Sequence, residues 1–226
     1  MTAPHRLRLA VLISGRGTNM RAIAAACAAG RIHAQIVTVI ASRSDAPGLA
    51  LARELGLRAE GLRPQDFRDR AAYDAELRRR IENADAELVV LAGFMRILGD
   101  QFVDAFAGRL VNIHPSLLPR HKGLHTHRRA LECGDREHGA SVHFVTHELD
   151  GGPVVAQARL SVRPFEAEPA LSARVQSAEH TLYPRTLAWI AERRLTWTAQ
   201  GPRFDGLPLE KPLQLEVEPD AIAPRP

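Results

Sequence analysis

Four short apolar runs constrain the fold of this chain more than any other feature. They are "LRLAVLI" (7–13), "QIVTVIA" (35–41), "ELVVLA" (87–92) and "RLVNI" (109–113), and helical patterns separate them. Each run is continuous rather than alternating, and too short for a helix, which is how a strand buried on both faces reads. Between the first two lies "TNMRAIAAACAAG", where Met20, Ile23, Ala24 and Cys27 fall at helical spacing and Gly30 marks the stop. "GLALARELG" predicts a second helix with Asp45 as candidate cap and Gly56 as stop, followed by a short strand near "LRAEGL". A third helix is predicted after Asp66, with Tyr73, Leu77 and Ile81 on one face, and a short one around Phe102, Val103 and Phe106. The basic cluster "LRRRIE" (77–82) sits inside the third pattern as a solvated face. Strand–helix alternation with short connections builds βαβ units. The class is therefore α/β: a Rossmann-like, doubly wound, mostly parallel sheet covered by helices on both faces. Such sheets bind ligands beyond the carboxyl ends of their strands.

After residue 135 the pattern changes. "GASVHFVT" and "PVVAQARLSV" read as two strands joined through "LDGG". "PALSARVQSAEHTLYPRTLAWIAERR" is a long helix entered at Pro169, with Leu171, Val175, Ala178 and Leu182 as its apolar stripe and Pro184 predicted to kink it. This is a smaller C-terminal strand–loop–strand plus long helix. From Ala199 onward the text is proline-rich and predicts at most a small hairpin, then a loose tail.

The chain has 226 residues, 45% of them hydrophobic, enough for one sizeable core. Its formal charge of +4 is spread along the chain without a long basic block, which suits anionic small molecules and argues against a nucleic-acid partner. Cys27 and Cys133 are too few and too far apart for a disulfide framework or a zinc site, so a reducing, cytoplasmic setting is expected. No run approaches the ~18 apolar residues of a membrane helix, and the N-terminus lacks a signal-peptide core, so no membrane partner is expected.

Three stretches can carry chemistry. In "LISGRGTN" (12–19) the glycines allow a tight turn, and the amides of Gly17, Thr18 and Asn19 open a helix N-terminus, a geometry that binds phosphate. Met20 stands where a dinucleotide fingerprint needs its third glycine, and no P-loop lysine follows; a plain ligand-free turn remains the alternative. In "RLVNIHPSLLP" (109–119) strand alternation puts Asn112 and His114 on one side and Val111 and Ile113 on the other, just before Pro115 ends the strand. An amide beside an imidazole at a strand's carboxyl end can stabilise an oxyanion and move a proton. In "ELDGGPV" (148–154) Asp150 is either a turn former or a carboxylate that reaches His114 and favours its protonated form. His121, His125 and His127 lack the spacing and neighbours of a zinc site, and no metal is expected.

Taken together, "LISGRGTN", "VVLAGFMRIL", "GRLVNIHPSLLP", "GLHTHRRALECGDREHGASVHFVTHELDGGPV" and "RVQSAEHTLYP" resemble, in this order, the signatures of the glycinamide ribonucleotide formyltransferases, folate-dependent enzymes of purine synthesis. The resemblance runs from about residue 7 to 198. It implies one formyltransferase domain over 1–198, with a nucleotide-binding half to about 110 and a folate and catalytic half beyond, and a tail over 199–226. It implies Asn112, His114 and Asp150 as the catalytic trio. Gly17, Thr18 and Asn19 would hold the ribonucleotide phosphate, and Gln176 and Glu179 the rest of the nucleotide. Arg70, Met95, Arg96, Ile97 and Leu98 would contact the folate, with Met95 and Leu98 lining an apolar pocket for the pterin. Asn112 and the loop Thr146, His147, Glu148, Leu149 and Asp150 would close over it. Three positions depart from the family pattern: Lys122 where a proline is usual, His147 where an aspartate is usual, and Arg16 in place of a smaller polar residue in the phosphate loop.

The reaction so implied passes the formyl group of 10-formyltetrahydrofolate, a cosubstrate, directly to the amine of glycinamide ribonucleotide, with no covalent enzyme intermediate and as a monomer or homodimer. A formyltetrahydrofolate hydrolase would add an N-terminal regulatory domain before the first strand, and an initiator-tRNA formylase a C-terminal nucleic-acid domain. The first strand is expected at residue 7, and a short proline-rich stretch follows Thr198. A non-enzymatic nucleotide-binding Rossmann module would not need the Asn112, His114 and Asp150 constellation.

Overall fold

The computed structural model describes residues 5–215. The elements follow in the order β1 (Leu7–Ile13), α1 (Thr18–Ala28), β2 (Ala34–Ala41), α2 (Pro47–Glu54), β3 (Ala59–Gly61), α3 (Arg70–Asn83), β4 (Leu88–Leu91), α4 (Asp100–Ala105) and β5 (Leu110–His114). Then come α5 (Thr126–Glu132), β6 (Glu137–Phe144), β7 (Val154–Ser161), α6 (Glu168–Ala191), β8 (Leu195–Thr198), β9 (Gly201–Phe204), β10 (Leu207–Pro208) and β11 (Leu213–Leu215). One sheet of eight strands runs in the order β11-β7-β6-β5-β4-β1-β2-β3. Its pairs are parallel except β5–β6 and β6–β7, so β6 alone opposes the other strands. This is the expected doubly wound, mostly parallel α/β architecture.

The continuous apolar runs are explained by burial on both faces. Leu9, Val11 and Ile13 of β1 join an apolar cluster with Met20 and Ile23 of α1, Leu49 of α2 and the whole stripe Leu171, Val175, Ala178 and Leu182 of α6. Ala10 and Leu12 point the other way, into a cluster with Tyr73, Leu77 and Ile81 of α3 and Phe102 of α4. Alternation along the strand thus assigns α1, α2 and α6 to one face and α3 and α4 to the other. The stripe residues of α6 are wholly buried, and the Tyr183 hydroxyl shares its proton between the carbonyls of Leu91 and Val111, at 3.0 and 3.1 Å. That contact ties α6 to the two strands whose ends carry the site. The helix runs through Pro184 without interruption.

Three expectations need correction. Asp45 is not the cap of α2: its carboxylate is taken by Arg43 at 2.7 and 3.0 Å, and the helix opens on Ala46 and Pro47, whose fixed φ needs no side-chain cap. The third helix begins after Asp66 as expected, at Arg70: Pro64–Asp66 forms a 3₁₀ turn, and Asp69 accepts from the Ala72 amide at 2.7 Å as the cap. The entry to α6 is at Glu168, one residue before Pro169. The stretch after Ala199 is not loose as far as Leu215. β8 and β9 form a hairpin, Trp197 packs on Phe144 with ring centroids 4.8 Å apart, and β11 pairs in parallel with β7. The open edge of β7 offers unpaired amides and carbonyls, and β11 covers it. The rest of the predicted tail, 216–226, lies outside the described residues.

Candidate active site

His114 is the last residue of β5, and Asn112 sits two before it on the same face. Val111 and Ile113 point into the α6 side of the core, which leaves the two polar side chains on the α3 and α4 side. Asp150 comes from the β6–β7 loop. Its Oδ2 lies 3.4 Å from His114 Nδ1, and both side chains are more than nine-tenths buried. The sequence-predicted trio is therefore brought together. His114 Nε2 donates to the carbonyl of His121 at 2.9 Å, so both ring nitrogens face oxygen acceptors. Asp150 Oδ2 also accepts from the Gly123 amide at 2.8 Å. At 3.4 Å the Nδ1 contact is longer than the 2.7–2.9 Å of a tight charge-assisted hydrogen bond, so an Nδ1 proton can be shared with a ligand oxygen.

Sequence reasoning missed the group that orients Asn112. In the antiparallel register Asn112 faces His143, and its Nδ2 lies 3.1 Å from His143 Nε2. His143 Nδ1 lies 3.0 Å from the Phe144 carbonyl, which can only accept, so Nδ1 carries the proton. Burial pushes the His143 pKa below its ordinary value and keeps the ring neutral, which leaves Nε2 as acceptor. The chain Asn112 to His143 to Phe144 carbonyl thus fixes which end of the amide is the donor. One Nδ2 hydrogen is consumed and the second is free to donate. Only the β5–β6 register reveals this pairing.

The β1–α1 turn forms the wall of a cavity of about 330 Å³ lined by Ser14 to Asn19, Ile113, Pro115, His127, Gln176 and Glu179. The predicted nucleotide residues Gly17, Thr18, Asn19, Gln176 and Glu179 therefore share one cavity, and its Ile113 and Pro115 flank His114. Gly17 adopts φ +71° at the N-cap of α1, a left-handed value that suits glycine. Gly48 approaches so closely that a Cβ there would lie 2.8 Å from the Gly15 carbonyl oxygen. Asn19 donates from Nδ2 to Glu179 Oε2 at 2.8 Å, while its buried Oδ1 has no partner. Burial raises the Glu179 carboxyl to about 7, partly offset by the Asn19 bond. A carboxyl that ionises at about 7 can donate or accept, and with the unpartnered amide oxygen of Asn19 it suits sugar hydroxyls. Arg16 is exposed at the rim.

A second cavity of about 540 Å³ adjoins the first at Ser14 and Met95 and is also lined by Arg43, Arg70, Tyr73, Arg96 and Ile97. Ser14 Oγ holds the partition by accepting from the Met95 amide at 2.8 Å. Met95 and Ile97, which line this cavity, are 66% and 64% exposed, and Leu149 of the 146–150 loop is 54% exposed. Leu98, next to Ile97 in the chain, is buried in the α3 and α4 cluster, which also holds the cavity-lining Tyr73. Two of the departures from the family pattern tie the 146–150 loop down. His147 bonds Asp104 of α4 at 2.8 Å, and Lys122 bonds Glu148 at 2.7 Å. Of the clustered histidines, His121 bonds Asp135, His125 contacts Arg128, and His127 faces His138. Among the described residues no group of three or more His, Cys, Asp or Glu side chains is placed to hold a metal ion, and no helix is long and apolar enough to cross a membrane.

Residues 7–187 match the family model described as formyl transferase. The chain belongs to the formyl transferase family. It is 49% identical over 200 residues to the phosphoribosylglycinamide formyltransferase of Escherichia coli K12, covering 88% of this chain and 94% of that one. It is 40% identical to the Haemophilus influenzae enzyme of the same name over 90% of this chain and 96% of that one. The solved phosphoribosylglycinamide formyltransferase of Coxiella burnetii superposes with a TM-score of 0.89 at 44% identity, over 93% of this chain and 99% of that one. The resemblance in the motifs is thus borne out at the level of family and fold, and the chain is a formyl-transferring enzyme of purine biosynthesis.

Proposed function

We propose that the enzyme transfers the formyl group of 10-formyltetrahydrofolate to the primary amine of glycinamide ribonucleotide. The observation that carries this reading is the buried contact of His114 with Asp150 at the end of the strand that bears Asn112, next in the chain to Ile113 and Pro115 of the first cavity, which shares Ser14 and Met95 with the second. The 330 Å³ cavity takes the ribonucleotide, its phosphate on the amides of Gly17 to Asn19 and its ribose at Gln176 and Glu179. The exposed apolar side chains of Met95 and Ile97 on the second cavity fit the flat pterin, and Arg70 and Arg96 fit the acidic end of the folate.

The amine attacks the formyl carbon, and the C=O electron pair moves onto oxygen. Asn112 Nδ2 and His114 Nδ1 donate to that oxyanion; losing one such donor costs ~3 kcal/mol of barrier, about a hundredfold in rate. Asp150, beside His114, stabilises the charged ring and routes the proton released by the amine, through water, to the folate nitrogen as its bond to the formyl carbon breaks. Neither cysteine takes part: burial raises Cys27 to about 11, and Cys133 is exposed beyond α5.

The test is release of deformylated folate from a 10-formylfolate with and without glycinamide ribonucleotide. Nucleotide-dependent release is expected, and equal release to water alone would replace this reading with a hydrolase. In Asp150→Asn, turnover is expected to fall at least a hundredfold while nucleotide affinity stays within about threefold. Near-normal turnover in that variant removes Asp150 from the chemistry.

A further inference from the structure

The segment between Pro115 and His125 meets the catalytic pair twice, each time with its backbone. The His121 carbonyl accepts from His114 Nε2 at 2.9 Å, and the Gly123 amide donates to Asp150 at 2.8 Å. Only Lys122 separates the two contacts. The backbone alternates through left-handed values, with φ +53° at His121, +80° at Gly123 and +57° at His125. Two of these three are not glycine, and such conformations persist only where surrounding contacts hold them. The start of the segment is fastened by Ser141, whose hydroxyl donates to the Ser116 carbonyl at 2.7 Å and accepts from the Leu118 amide at 3.0 Å. Beyond Pro119 the hold passes to side chains. His121 Nε2 donates to Asp135 Oδ2 at 2.7 Å, with side-chain exposures of 9% and 16%, and Arg129 donates to the Lys122 carbonyl at 2.6 Å. Lys122 to Glu148 is the outer, exposed tie. Of these tethers, only the Asp135 contact acts on the residue whose carbonyl receives the His114 proton.

We infer that His121 and Asp135 are positioning residues for His114: the buried His121–Asp135 contact fixes the His121 carbonyl, and that carbonyl fixes the tilt of the catalytic ring. The inference rests on the catalytic role proposed for His114. Asp135 reaches the imidazole only through the main chain of another residue, and a release of the His121 ring lets the carbonyl, and with it His114 Nε2, drift. Misplacement of a reacting group by about 1 Å can cost a hundredfold in rate.

The test compares two substitutions of different reach. His121→Asn accepts the left-handed backbone but is too short to meet Asp135, whereas His121→Gln places an amide nitrogen near the position of Nε2. The expected result is a fall in kcat of about tenfold in His121→Asn and in Asp135→Ala, with KM for both substrates within twofold, recovery in His121→Gln, and no further loss in the double variant His121→Asn/Asp135→Ala. Melting temperatures of all variants accompany the kinetics. If Asp135→Ala does not fold, His121→Asn against His121→Gln carries the comparison. Normal kcat in His121→Asn, equal losses in the Asn and Gln variants, or losses that appear only in KM overturn the inference. His114→Ala is run alongside. Wild-type turnover there would remove the catalytic reading and this inference with it, while a dead His114→Ala with an unaffected His121→Asn would remove the inference alone.

Discussion

The buried carboxyl of Glu179 makes a quantitative prediction through its isostere, Glu179→Gln. The side chain lies against α1, its residue is 8% exposed, and it accepts the 2.8 Å hydrogen bond from Asn19. A glutamine keeps that bond and removes the ionisation. In the unfolded chain the carboxyl ionises at its ordinary 4.5; in the fold burial raises it to about 7. Below 4.5 both states are protonated and the substitution has no electrostatic effect. Between 4.5 and about 7 the unfolded chain releases a proton that the folded chain retains, so stability falls as pH rises, and above about 7 the loss is complete. At about 1.4 kcal/mol for each factor of ten in proton affinity, the full loss is about 3 kcal/mol. The Gln variant escapes it. At 2–4 °C for each kcal/mol in a domain of this size, its melting temperature should exceed wild type by about 6–12 °C at pH 8.5. The two should converge near pH 4.5. The assay is a thermal melt of both proteins across that range without ligand. In the same variant KM for the ribonucleotide should rise and KM for the folate should not, because the neutral acid is replaced by an amide with different donors. A melting difference that does not change with pH, or a Gln variant less stable at high pH, would refute the burial argument.

The phosphate loop and its glycine support give two further expectations. Asn19→Ala removes the bond to Glu179 together with the unpartnered Oδ1, and isothermal titration should show weaker ribonucleotide binding with folate binding unchanged. Equal weakening of both ligands would count against the assignment. Gly48→Ala places a methyl 2.6 Å from Ile13 Cδ1 and 2.8 Å from the Gly15 carbonyl oxygen, so the turn must shift. Overpacking of this kind costs typically about 1–3 kcal/mol, and the ribonucleotide KM should rise with it; a variant with wild-type melting and KM would show that the turn adapts.

The fold was legible because both periodicities were plain. The β1 run splits cleanly into Leu9, Val11 and Ile13 on one face and Ala10 and Leu12 on the other, and the α6 stripe is buried at every position expected. The errors fell where a local partner outranks a pattern. Asp45 looks like a cap until Arg43 takes it, and the β11 segment looks like a tail because its pairing is with β7, some fifty-seven residues earlier at Gln214 and Gln157. For the site, strand alternation placed Asn112 and His114 together, and only the resemblance to a family added Gln176 and Glu179. The partners that orient the trio were illegible for a different reason. The His121 carbonyl and the Gly123 amide are main-chain groups, which no residue type announces.

The strand that runs against its neighbours in the eight-stranded sheet, β6, is what makes the trio possible. Because β6 runs against β5, it leaves the sheet beside Leu110, where the Val145 amide donates to the Leu110 carbonyl at 2.9 Å. The following loop must then fold back across the face that bears Asn112 and His114, and this return carries Asp150 over His114. The Phe144 amide donates to the Pro153 carbonyl at 3.1 Å on the way back, and a Cβ at Gly152 would collide with the Phe144 carbonyl oxygen, so the "DGG" sequence serves the return as well as the turn. The same antiparallel register sets His143 opposite Asn112. A slip of one residue would send His143 to the other face of the sheet and leave the Asn112 amide without an orienting acceptor. The geometry of the proposed catalytic trio and the sheet register are therefore one constraint here. Substitutions in β6 that disturb pairing should cost turnover before they cost the fold, since β6 pairs along its length with β7 and the Asn112–His143 contact is a single bond.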